Sequence, residues 1–252
     1  MEFLISFVVV VVASFALRNP LRKAPAAFYG LAIATVVLYF AAPGLALPHD
    51  ASIVLLFAMQ RCFVPVALFV LVMYIGVLPY GSSLRRWLQP VRGPLSVVAC
   101  ILVFGHMAHY FAGYLPRMFG LGSVASNVVV SFVVASLLFV LLLVLGVTSL
   151  EIVKRRMKAS LWKRIQRLAY LFYALTYLHL MAMLLPSALA GGTQALVSMG
   201  IYTVVFGCYA IARVVIALKG LGTTLETAAS EIAARKAEEE MPPLGDEEAV
   251  LV

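Results

Sequence analysis

The 252 residues are 63% hydrophobic and 12% charged, with a mean hydropathy of +1.03. A soluble domain of this length cannot cover so much apolar surface, whereas lipid demands no polar covering, so a water-soluble fold is excluded and the bilayer is the first expected partner. The net charge of +8 divides unevenly, because residues 1–225 carry 17 basic and 3 acidic side chains while eight of the eleven acids follow residue 225. In a membrane chain that basic excess sets orientation and is no sign of a nucleic-acid partner.

The apolar runs are near-continuous and lack the alternation of barrel strands, so the expected fold class is all-α, a polytopic transmembrane helix bundle of about seven spans. The runs cover residues 2–17, 27–47, 52–79, 94–115, 124–149, 164–186 and 194–218, against the roughly 20 residues that a span needs. The first opens on Glu2, and its basic cluster (Arg18, Arg22, Lys23) follows the apolar run, the reverse of a secretory signal. His49 falls in a connection beside Pro48 and Asp50 and reads as an ordinary loop residue.

The third run contains Gln60-Arg61, about nine residues in, where a guanidinium must meet an anion, cap carbonyls at a helix end, or snorkel. The fourth contains His106 and His109, the sixth His179, and the seventh Arg213, near enough to its end to snorkel. Cys62, Cys100 and Cys208 lie inside apolar runs without metal-ligand spacing and read as packing residues.

The basic residues concentrate in alternate loops: Arg18, Arg22 and Lys23; Arg85, Arg86 and Arg92; then Lys154, Arg155, Arg156, Lys158 and Lys163. The positive-inside rule makes these loops cytoplasmic, with the N-terminus outside and the C-terminus cytoplasmic. Three regions are expected: 1–51, two N-terminal spans; 52–218, the core; and 219–252, an acidic cytoplasmic tail. In the tail, Thr223-Thr-Leu-Glu226 fits a capping box opening a short helix over 223–240, and Met241 onward reads as disordered.

Carboxylates are absent from mid-span, which argues against ion-coupled transport and proton pumping. Imidazoles are present instead. The fourth and sixth runs are parallel, and His106 and His179 lie about 14 and 11 Å of helix from their outer ends. Two neutral imidazoles at matched depth on two helices suit a bis-histidine haem, and each could equally be a helix-to-helix hydrogen bond. His109, three residues from His106, is an alternative ligand, serves a haem propionate, or faces the outer surface. Arg61 would suit a propionate as well.

The chain further resembles the ferric-reductase-like transmembrane domain superfamily over roughly residues 52–218. The matching residues are Arg92-Gly-Pro-Leu95 before His106 and Tyr110, Val147-Thr-Ser149, a basic loop, Trp162-Lys-Arg-Ile-Gln-Arg-Leu-Ala-Tyr170, and His179. In size and in lacking soluble domains it is most similar to the haem-binding membrane subunit of periplasmic methionine-sulfoxide reductase systems. The resemblance favours His106 over His109 as ligand, and matches His179 to the family's distal histidine. It departs at Gln166, where the family has histidine. An amide is a poor axial ligand, so one haem b near the outer face is expected rather than a two-haem relay.

The implied function is a membrane b-type cytochrome of the inner (plasma) membrane. It would carry electrons from a quinol or a separate reductase to an extracytoplasmic acceptor. No Gly-x-Gly-x-x-Gly turn is present for a dinucleotide, and a flavin or a quinone is the other cofactor class that such a membrane site admits. A direct ferric reductase and a haem-free scaffold or accessory subunit of a larger complex are the alternatives.

Overall fold

A computed structural model of the chain describes residues 2–239. It is helical throughout, with no strand among the described residues. All seven apolar runs are helical. Five stretches are long and apolar enough to cross a membrane: Pro25–Gly44, Ser83–Gly120, Ser126–Ser149, Ala159–Leu189 and Thr193–Ala233. A sixth candidate is a broken pair, His49–Gln60 and Phe63–Ile75, whose halves meet at 52°. The first run forms α1 (Glu2–Ala16), which at 15 residues is about 22 Å long, short of a hydrocarbon core of about 30 Å. The protein is thus a helical membrane protein with, among the described residues, five full-length apolar helices and one broken one.

The compact unit Met1–Gly207 contains most of these elements. After α1 come α2 (Arg18–Lys23), α3 (Pro25–Ala41), α4 (His49–Leu55), α5 (Phe63–Ile75), α6 (Ser83–Leu88) and α7 (Arg92–Pro116). Then follow α8 (Ser126–Ser149), α9 (Glu151–Arg156), α10 (Ala159–Gln166), α11 (Leu168–Leu189) and the start of α12 (Thr193–Glu239). α7 packs against α3, α5 and α8, while α11 lies along α8 and α1 along α5. α5 is apolar on every side and is buried on nearly every side, as such a helix must be. Leu138, Leu141 and Leu142 of α8 close on Phe172 of α11, with Phe69 of α5 set edge-on to Phe172 at 5.0 Å between centroids. Tyr173 stacks on Phe206 at 4.2 Å and Phe3 meets Tyr202 at 4.7 Å, which seats the first half of α12 against α11 and α1.

The third run is not the single uninterrupted span over 52–79 that its composition predicts. His49 is no loop residue either: it opens α4, directly after Pro48. α4 loosens into a π-helical turn over Leu56–Gln60, and the chain breaks at Arg61-Cys62 before α5 begins. The physical cause is Pro65. It has no N–H to give the carbonyl of Arg61 four residues back, so the helix cannot run through.

The basic loops also make hydrogen bonds that close helix ends. Arg92 Nε donates to the Val72 carbonyl at 3.1 Å and Arg85 Nη1 to the Leu78 carbonyl at 2.7 Å. Carbonyls at and beyond the end of α5 that lack a helical partner are thereby satisfied by cations. At the end of α8, Trp162 Nε1 donates to the Thr148 carbonyl and Gln166 Nε2 to the Thr148 hydroxyl, both at 3.0 Å. The Val147-Thr-Ser149 and Trp162…Gln166 motifs are therefore two halves of one clasp.

The second unit, Cys208–Val252, is described to Glu239 and consists of the continuing α12. The expected capping box at Thr223 is not one. The helix runs through it, and Thr223 Oγ1 bonds back to the carbonyls of Gly220 (2.9 Å) and Lys219 (3.3 Å), the habit of a threonine inside a helix. No new helix starts at 223 because none ends before it. The expected disorder from Met241 onward lies outside the described residues.

Candidate functional site

The break in the third apolar run builds one wall of the site. Cys62 sits in the left-handed region, with φ +56°. Such a conformation is rare for a residue with a Cβ, and persists only where its surroundings hold it. Across the break, carbonyls normally consumed inside a helix turn to other partners. His106 Nδ1 lies 2.7 Å from the Met59 carbonyl and Tyr110 Oη donates to the Gln60 carbonyl at 3.2 Å. A carbonyl only accepts, so the His106 proton is on Nδ1. The close approach depends on Gly105. A Cβ there would run into the Met59 Sδ-methyl and lie 3.0 Å from the Val36 methyls.

His179, on α11, is held in the same way by α8. Its Nδ1 is 2.8 Å from Ser131 Oγ and 3.2 Å from the Ser131 carbonyl, and Ser131 is buried. The Ser131 hydroxyl could donate or accept, but its carbonyl only accepts, so His179 too carries its proton on Nδ1 and both neutral rings have their lone pair on Nε2.

Both histidines wall one cavity of about 250 Å³ among α5, α7, α8 and α11. One end is lined by Phe69, Leu142 and Phe172, and the other by Tyr114, Val128 and Met183. Besides the histidines, Gln60, Arg61, Tyr110, Tyr114, Ser131 and Thr176 bring polar groups to it. Tyr110 and Tyr114, one turn apart on α7, stack at 6.1 Å with 10° between their planes. The cavity is otherwise apolar and aromatic, the composition of a site for a flat hydrophobic ligand with a few fixed polar contacts.

Of the sequence candidates, His106, His179 and Arg61 come together on this cavity, and His109 does not. His109, a neighbour of His106 on α7, is turned toward α3 instead, edge-on to Tyr39 at 5.4 Å and to Tyr110 at 5.0 Å. Arg61 finds its anion within the chain: Nη1 is 2.6 Å from Glu2 Oε2 on α1. Gln166 is remote from the cavity walls and belongs to the α8 clasp.

Sequence reasoning missed Ser131, the two backbone acceptors at Met59 and Gln60, and Glu2 as the partner of Arg61. Ser131 had a legible signal, being an isolated hydroxyl in the run Val128–Val134. The backbone acceptors had only the indirect signal of Pro65.

No family model matches the chain, and no solved structure matches it. The chain is similar to an uncharacterized protein of Treponema pallidum (strain Nichols), with 38% identity over 217 residues. The match covers 85% of this chain but 60% of that protein, so the chain spans less than two thirds of its relative's length.

Proposed function

We propose that this protein is a membrane electron-transfer subunit of the ferric-reductase-like kind, holding a single b-type haem between His106 and His179. The observation that carries the proposal is that two imidazoles from different helices wall one apolar cavity, each with Nδ1 tied back and Nε2 left as the donor. That is the tautomer in which histidine ligates a metal, with the hydrogen bond that steadies the ring already made on the far nitrogen. The donor set and the aromatic walls fit the group. When bound, it supplies one-electron transfer.

The chain's own residues do the rest. Met59 and Ser131 orient the two rings. Phe69, Leu138 and Phe172 keep water from the apolar end. Arg61, paired with Glu2, and Tyr110 and Tyr114 bring polar character to the other end. Gln166, held by Thr148, takes no part, which is why a single haem is proposed. The loop charges support a topology with the basic loops cytoplasmic and the N-terminus outside, α1 and the broken pair counting as spans. A quinol or a separate reductase is the proposed donor and an extracytoplasmic protein the acceptor, in a bacterial-type inner membrane.

One observation also favours a second reading. The same Nδ1 bonds join α7 to the broken run and α11 to α8, so the histidines serve equally as joints in a haem-free scaffold. A reduced-minus-oxidised absorption spectrum of the purified protein, expressed with haem supplied, separates the two. A b-type band lost in both His106→Ala and His179→Ala is the expected result. If folded wild-type protein has no band, the scaffold reading replaces the haem. A band that survives both substitutions removes the ligand assignment.

A further inference from the structure

Away from the histidine cavity, α1, α5, α6 and Val205 of α12 line a second, half-open hollow of about 300 Å³. Its walls are apolar: Val11 and Phe15 from α1, Leu71 from α5, and Leu84 and Leu88 from α6. A polar atom carried by its lining, Tyr74 Oη, is turned to the Val205 carbonyl at 2.7 Å. The α6 end gives onto a basic surface. Phe15 lies 6.5 Å from the Trp87 ring, and the Arg18 guanidinium lies 4.4 Å over the same indole. Arg86, next to Trp87, and Arg22, one turn beyond Arg18, are exposed. The acid nearest in sequence within α1, α2 and α6 is Glu2, at the opposite end of α1 and paired with Arg61.

Apolar slot, indole and guanidiniums follow one another in the order of an anionic amphiphile: chain, interface, phosphate. A hollow of this size is too narrow for a helix, which with side chains is about 10 Å across. With no carboxylate along α2 and α6, and the Arg18 guanidinium already over the Trp87 ring, a choline or ethanolamine cation is disfavoured there. A guanidinium over an indole still carries N–H donors for a phosphate. We propose that this hollow takes one acyl chain of an anionic phospholipid, with its phosphate held by Arg18, Arg22 and Arg86. The site is independent of the histidines and of any haem.

The test uses the full chain, delipidated in detergent, with phosphatidylglycerol, phosphatidylcholine or inorganic phosphate added and bound species counted by native mass spectrometry. Phosphatidylglycerol is expected to be retained in preference to phosphatidylcholine. Arg18→Gln with Arg86→Gln should weaken it by roughly fivefold for each charge removed. Leu84→Trp, which fills the hollow from a half-exposed position, should displace it with every arginine in place, and Val11→Phe repeats that arm if Leu84→Trp does not fold. Equal retention of the two lipids overturns the proposal. So does retention of phosphatidylglycerol by both filled variants. Inorganic phosphate that displaces the lipid would identify a free-anion site and also overturn it.

Discussion

Gly105 and Ser131 are the two residues on which the orientation of the histidines turns. At Gly105, α7 passes so close to Met59 and Val36 that no side chain fits. Met59 is fully buried and cannot swing away without displacing others. Gly105→Ala should therefore destabilise the protein by about 1–3 kcal/mol, the usual cost of overpacking a filled site, read as a lower unfolding midpoint in detergent. Ser131→Ala acts differently. It removes the hydroxyl at 2.8 Å from His179 Nδ1 but leaves the carbonyl at 3.2 Å. Under the haem reading, affinity should drop by about tenfold or more, as loss of an outer-shell partner does, in a titration of apo-protein with haem. Unchanged affinity would make the hydroxyl a bystander. The expense of burying imidazole makes His106 and His179 legible in sequence, and Arg61 likewise. Their partners were not legible, because two are backbone carbonyls and backbone carries no letter code. Glu2 was visible, yet nothing in sequence joins residue 2 to residue 61.

Among elements, the broken run and the α8 clasp carry the most information. Trp162→Phe keeps the ring and removes the donor to the Thr148 carbonyl, which should cost about 1–3 kcal/mol if that carbonyl stays shielded from water. Denaturant unfolding in detergent measures it. Gln166→His restores the histidine expected from the family resemblance, yet its neighbour remains the Thr148 hydroxyl. The expected haem-to-protein ratio stays at one, and a ratio of two would reject the single-haem reading. The position of each apolar run was legible from composition because a membrane helix needs little else. The break was not. Pro65 marks where a helix cannot continue, but the π-helical turn lies five to nine residues earlier, where His106 and Tyr110 can capture freed carbonyls. Tertiary partners, absent from any local window, decide its place. The same limit misplaced the capping box: Thr223 has a cap's spacing, but α12 is already under way.

On the scale of the molecule, charge and apolarity divide the labour. Lipid takes the outward faces of the long helices, and the loops with most Lys and Arg should lie on one side. A reporter domain fused after residue 240 should be active only in its cytoplasmic form, and one fused before residue 2 only in its exported form. The opposite pattern would invert the proposed topology and put the histidine cavity nearer the cytoplasm. Helical class and membrane residence were readable because both are statements about composition. How the helices neighbour one another was not, since six nearly featureless apolar surfaces permit many arrangements. The buried hydrogen bonds choose among them.

The bend between α4 and α5 also constrains the order in which the chain is made. The acceptor at Met59 waits for His106, 47 residues downstream, and Gln60 waits for Tyr110, 50 residues downstream. Until those arrive, the bare carbonyls at the kink face a solvent that offers them no donors. The third hydrophobic segment is thus unfinished when it leaves the ribosome and becomes a stable occupant of the membrane only after the fourth has joined it. Insertion of the third and fourth segments as a pair is therefore the expected order of biogenesis.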